Sequence, residues 1–180
     1  MYGIVNQTIE DLLTKQYSEE VWKNAKEKIH LKENFFLINK IYSDEMTFKL
    51  IAAASEITGK TSDEILRELG KWWIIKVSQE KYGSLMSTGG KNLKEFLINL
   101  PAFHTRVMML YPKIDSPEFE INIISENKLL IHYSSYRSGL QEFVYGILLG
   151  LAELFKTPMQ IKKLPSRVSP EQTALFEVHW

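Results

Sequence analysis

Apolar residues recur every three to four positions through the first 112 or so residues, and every second position after that. Ile4, Val5, Ile9, Leu12 and Leu13 share one helical face. Val21, Trp22, Ala25 and Ile29 mark a second helix. A third opens at Ser43, an N-cap residue followed by Asp44 and Glu45, whose charges favour the positive end of a helix dipole. Gly59 is placed to close it. Thr61-Ser62-Asp63-Glu64 is a capping box, in which hydroxyl and carboxylate each satisfy an orphaned N–H. The helix it opens is predicted to run to about Val77, and Gly83, Gly89 and Gly90 predict a shorter, looser stretch. One long helix is predicted over residues 92–111, with Leu93, Phe96, Leu97, Leu100, Val107, Met108 and Tyr111 on its apolar stripe and a kink at Pro101.

Beyond Pro112, Phe119, Ile121 and Ile123 alternate with polar residues, and Leu129, Ile131, Tyr133 and Ser135 do so again. The Ser125-Glu126-Asn127 stretch between them has turn chemistry, so the pair is a predicted hairpin. A helix over 138–155 and strands over 159–164 and 174–180 complete the pattern. The expected class is α+β: a helical N-terminal subdomain of residues 1 to about 112, then an antiparallel sheet with a crossing helix over 113–180. The 180 residues are expected to form a single domain, since neither half buries much alone.

Composition narrows the functions open to this chain. Lys plus Arg equals Asp plus Glu, without the basic face a nucleic-acid binder carries. Lys162-Lys163, the longest basic run, reads as a solvated strand face. The absence of cysteine excludes disulfides and thiolate metal sites and fits a reducing cytoplasm. No run approaches the roughly 18 apolar residues of a membrane span, and the N-terminus lacks the pattern of a signal peptide.

Two features could carry chemistry. His104 lies on the apolar stripe, four residues after Leu100 and four before Met108. A lone His in that setting is either a satisfied core residue or a ligand. His30, His132 and His179 show no ligand spacing relative to it, which argues against a zinc site, whereas a haem iron needs only one protein ligand. Tyr133, Ser135 and Arg137 fall at alternate positions, which puts a phenol, a hydroxyl and a guanidinium on one strand face. That set is either a polar sheet face or a site for carboxylates, which Arg can bind bidentately.

Tyr133-Ser134-Ser135-Tyr136-Arg137 resembles the propionate-binding Tyr-x-Ser-x-Arg motif of the H-NOX family, the haem nitric oxide/oxygen-binding domains. His104, 29 residues before Tyr133, stands where that family places its proximal histidine, and Pro117 matches the proline that packs on the haem. The opening Met1-Tyr2-Gly3 and the stretch through Gly139-Leu140-Gln141 are similar to the haem domain of soluble guanylate cyclase and its stand-alone bacterial relatives.

The resemblance implies a haem b (iron protoporphyrin IX) between the two subdomains. His104 would hold its iron, and Tyr133, Ser135 and Arg137 its propionates. It further implies a distal wall of Ile4, Val5, Trp73, Leu140, Phe143 and Ile147, although spacing alone would make the last three ordinary core. Oxygen-binding members carry a tyrosine three residues before a glycine of the last helix. Phe143 holds that place relative to Gly146, and Tyr145 lies roughly 200° around the helix. The resemblance therefore implies a sensor of nitric oxide, which also binds carbon monoxide and discriminates against oxygen unless the Trp73 indole donates. A haem enzyme of peroxidase or nitric oxide dioxygenase type is the alternative, and a haem-free domain the third reading. A chain of this length has no room for an output domain. If complete, it is expected to signal to a partner, a histidine kinase or a diguanylate cyclase.

Overall fold

The structure, a computed structural model, describes residues 1–111, 117–166, 169 and 171–180. The expected boundary near residue 112 lies outside the described residues. Helix α1 (Gly3–Leu12) widens into a π-helical turn at Leu13–Tyr17, and α2 (Glu19–Lys28) is capped by Ser18, whose hydroxyl accepts from Val21 N–H. Helix α3 (Asp44–Thr58) starts at the Ser43 cap and ends at Gly59, whose φ of 74° is the left-handed conformation glycine adopts freely. The Thr61–Glu64 capping box opens α4 (Ser62–Trp72) as its sequence requires.

Two helical expectations are corrected. The helix from Ser62 reaches Val77, but its last five residues, Trp73–Val77, form a π-helical turn that leads directly into α5 (Ser78–Met86). The predicted long helix is two: α6 (Leu93–Ile98) and α7 (Leu100–Met109), broken at Asn99. Pro101 explains the break. It has no N–H for a continuous helix, and in the first turn of a new one that N–H is not needed.

Strands β1 (Glu118–Ser125) and β2 (Lys128–Ser134) form the hairpin, α8 (Gln141–Leu154) crosses over, and β3 (Gln160–Leu164) and β4 (Thr173–His179) follow. The sheet is antiparallel throughout, in the order β1-β2-β4-β3. Because β2 stops at Ser134, Ser135 and Arg137 do not share a strand face with Tyr133 as expected. The chain has turned out of the sheet there: Arg137 N–H donates to Ser135 Oγ at 3.1 Å, and Ser135 N–H to Gln172 O at 2.9 Å.

One core joins α1–α4 around residues such as Leu13, Leu50 and Leu69. A second packs Phe96, Leu97 and Leu100 against Ile131, Leu148 and Phe176, so α6 and α7 lean on the sheet and α8. Helices α4 and α8 cross with their backbones in contact. A Cβ on Gly70 would stand 2.0 Å from the Phe143 carbonyl oxygen, and one on Gly146 2.1 Å from that of Arg67. Beside the crossing, the buried Glu142 is clamped by Arg67 of α4 and Lys163 of β3. Burial alone would push that carboxyl up, but the two cations outweigh it and hold it below its ordinary value. Lys163 is thus an ion-pair partner rather than a freely solvated charge. No helix among the described residues is long and apolar enough to cross a membrane.

The crossing yields a stability prediction. Gly146→Ala places a methyl into the Arg67 carbonyl and is expected to cost about 1–3 kcal/mol. Gly83→Ala, in α5 with nothing within 4 Å, is expected to be neutral or slightly stabilising. Thermal unfolding of the two variants beside the parent checks the difference; equal melting temperatures would mean the crossing adjusts freely.

Candidate functional site

A cavity opens among α1, α4, α7, α8 and the start of β1, with a lining that is overwhelmingly apolar. Ile4 and Val5 come from α1, Trp73 from the π-helical turn, His104 from α7, Pro117 from the approach to β1, and Leu140, Phe143 and Ile147 from the start and body of α8. Arg137 reaches the same cavity from the turn after β2. Tyr133 and Ser135 are buried, but they stand beside the cavity and do not line it. Tyr145 points elsewhere, as its spacing requires: its hydroxyl donates to Ile161 O and its ring lies under the Arg67 guanidinium.

The π-helical turn gives α4 its place at this site. Leu66 and Leu69 line the cavity from α4, and Trp73 and Ile74 line it from the π-helical turn. Such single π turns inside helices are often found at functional sites. The neighbouring Trp72 is fixed from the other side, its indole N–H donating to Asp11 at 2.7 Å.

His104 is half-buried with its imidazole 5.2 Å from the Phe119 ring, edge to face, and makes no side-chain hydrogen bond among the described residues. Burial lowers its pKa to about 4, so the ring is neutral at physiological pH and keeps a free lone pair. No group of three or more potential metal-ligating side chains exists among the described residues. Among the described residues, His104 is the imidazole that lines the cavity.

Arg137 brings a charged side chain to the cavity. Its Nε donates to Asp44 Oδ2 at 2.7 Å, and its guanidinium lies 4.4 Å over the Tyr136 ring. Asp44 also binds the N-terminal ammonium of Met1, which donates to Tyr42 O as well. Burial would raise the Asp44 carboxyl, but the ammonium and Arg137 more than offset this and hold it below its ordinary value. The terminal nitrogens of Arg137 carry no other hydrogen bond among the described residues, which leaves donors for an anion at the cavity edge. For Tyr133, burial raises the phenol, opposed by a hydrogen bond with Ser135 and the charge of Arg137. The three motif residues therefore cluster, although only Arg137 reaches the cavity.

A flat apolar group with a metal at its centre and carboxylates on its rim fits this donor set: one neutral imidazole, a guanidinium with spare N–H groups, and apolar walls. Sequence reasoning missed Phe119, Phe103 and Met108, whose apolar periodicity is indistinguishable from that of ordinary core residues. It also missed the partnership of Asp44 with Arg137, 93 residues away, because nothing local marks it.

Residues 2–163 match the Haem-NO-binding family. The chain is 27% identical over 165 residues to soluble guanylate cyclase gcy-31 of Caenorhabditis elegans, covering 91% of this chain and 24% of that protein. To soluble guanylate cyclase 89Da of Drosophila melanogaster it is 24% identical, covering 86% of this chain and 23% of that protein. The chain thus spans about a quarter of the length of these relatives. Among solved structures, an H-NOX protein from S. oneidensis in the Fe(II)NO ligation state superposes with a TM-score of 0.86 at 18% identity, covering 99% of this chain and 98% of that one. A mutant Fe(II) unliganded H-NOX protein from K. algicida does so with a TM-score of 0.86 at 21% identity, covering 99% and 96%. The fold is shared with both.

The Asp44 arrangement sets a pH dependence. A carboxylate held low in the folded state contributes stability above its unfolded pKa of about 3.9, and that contribution is lost as pH falls through the folded value. Denaturant midpoints of the parent are expected to exceed those of Asp44→Asn by a constant margin between pH about 5 and about 7, and to converge with them in stronger acid. A margin unchanged down to the most acidic pH would show that the charge of Asp44 contributes nothing.

Proposed function

This chain belongs to the haem-NO-binding family, and from that premise we propose that it is a haem-based gas sensor for nitric oxide, not a catalyst. The observation that carries the reading is the neutral His104, without a side-chain hydrogen bond among the described residues, on the wall of an apolar cavity whose rim holds Arg137. Bound haem b would supply a ferrous iron that takes up diatomic gases. His104 would be its protein ligand. Arg137, with Tyr133 and Ser135 behind it, would hold the propionates, and Pro117 and Ile4 would press on the macrocycle.

Selectivity follows from the walls. Stable oxygen binding calls for a distal hydrogen-bond donor, which the Phe143 ring does not have. Nitric oxide and carbon monoxide bind without one. Release of His104 on binding of nitric oxide would be the signal. His104 sits within α7, so its release would free that helix to shift against the sheet, while Arg137 would keep its hold on the rim. The output passes to an effector such as a histidine kinase or a diguanylate cyclase in trans, within the cytoplasm.

Two measurements test this reading. His104→Gly is expected to lose haem unless imidazole is supplied during expression, with spectra restored when it is; parental haem content and spectra without imidazole would remove His104 from the iron. In the reduced parent protein, electron paramagnetic resonance under nitric oxide is expected to lack the splitting from a histidine nitrogen, and no oxygen complex is expected to persist. Retained splitting would refute release of His104, and a lasting oxygen complex would refute the discrimination against oxygen and point to Trp73.

A further inference from the structure

Tyr82 is the one residue of α5 with non-helical backbone angles, φ −134° and ψ 23°. Its ring stacks on Trp73 of the cavity wall, with centroids 6.5 Å apart and planes 23° from parallel. Its hydroxyl shares a hydrogen bond with that of Tyr111. Tyr111 closes the turn that follows α7, its N–H donating to Met108 O at 2.9 Å, and its ring packs at 4.7 Å against Tyr2. Trp73, Tyr111 and Tyr2 all line the cavity. A single side chain therefore bridges two parts of the site that are 38 residues apart in sequence: the wall at Trp73 and the far end of the helix carrying His104.

We propose that Tyr82 is a positioning residue that latches the C-terminal end of α7 to the Trp73 wall, so that its hydroxyl sets how readily α7 moves. The inference rests on His104 being the metal ligand. Tyr111 lies seven residues beyond His104, about 10 Å along a helix. Anchoring that end resists the displacement of α7 that release of His104 would start. Met109 and Leu110 give it little help, since both side chains are largely exposed. Burial pushes the Tyr111 phenol above its ordinary value, so it stays protonated at physiological pH and the hydroxyl pair persists. The Trp73 stack gives the latch a second input. An occupant that displaces Trp73 displaces Tyr82, and through it the end of α7; by reciprocity, movement of α7 alters how the Trp73 wall receives a ligand.

Tyr82→Phe and Tyr111→Phe each remove one hydroxyl and keep the ring, so the packing survives. The test compares both, and the double variant, with the parent as haem-loaded proteins. Hydrogen exchange of amides 107–111 is read in the carbon monoxide-bound form, and the iron–histidine vibration by resonance Raman in the unliganded ferrous form. Either single variant is expected to speed exchange about three- to tenfold, the effect of one neutral hydrogen bond, and to shift the vibration. The double variant is expected to match the singles, because all three lack the same bond. Exchange at the parental rate in both singles, or effects that add in the double, would overturn the latch. Neither readout uses nitric oxide, so the role of Tyr82 is decided whether or not His104 is released. A parent without an iron–histidine band would refute the assignment of His104 instead, with the exchange rates still deciding the latch.

Discussion

The pocket depends on how closely α4 and α8 approach. At Gly70 and Gly146 the two helices touch backbone to backbone, and a methyl at either position would overlap a carbonyl of the partner. Interiors this tightly packed transmit strain rather than absorb it. The contact at Gly70 is with the carbonyl of Phe143, so the same contact that permits the crossing also fixes the residue facing the cavity. Leu66, Leu69 and Trp73 line the cavity from α4, and Phe143 and Ile147 line it from α8. The Glu142 clamp holds the crossing from its flank, with one buried carboxylate satisfied by cations from α4 and β3. A buried charge with two partners is tolerable where one without would not be.

Against that rigid wall, the α7 side is built differently. Helix α7 is short, separated from α6 at Asn99, and ends in the exposed Met109 and Leu110. Among the described residues it carries the one imidazole of the cavity, and burial keeps that ring neutral. A fixed wall facing a short helix that is tied at its far end through Tyr111 lets a change at the cavity be taken up by one element. The rim is held by charge. Asp44 gathers the N-terminal ammonium and Arg137 into one network, which orients the guanidinium while leaving its outer nitrogens for an anion.

Much of this was legible in the amino-acid order because it is local. A hydroxyl three residues before a glutamate closes a capping box wherever it occurs, as at Thr61 and Glu64, and Gly59 ends α3 because only its own backbone has to comply. Alternation located the hairpin for the same reason. One correction has a local cause and the other a distant pairing. The apolar stripe over 92–111 continues through Asn99 without interruption, yet the backbone breaks there because Pro101 begins a new helix. The Tyr-x-Ser-x-Arg spacing suits a strand, but β2 ends at Ser134, where the chain leaves to pair with Gln172.

The sequence by itself determined the order and class of the elements and the likeness to a haem-binding family, in which His104 takes the place of the proximal histidine. These depend on residue type and short spacing. Tertiary structure decided which apolar residues are wall and which are core, since Phe143 and Leu148 look alike in a helical pattern and only the packing of α4 and α7 separates them. It also decided the pairings of Asp44 with Arg137 and of Tyr82 with Tyr111. Such contacts join residues far apart in the chain. Their energy is a property of the folded arrangement, and no periodicity within either segment records it.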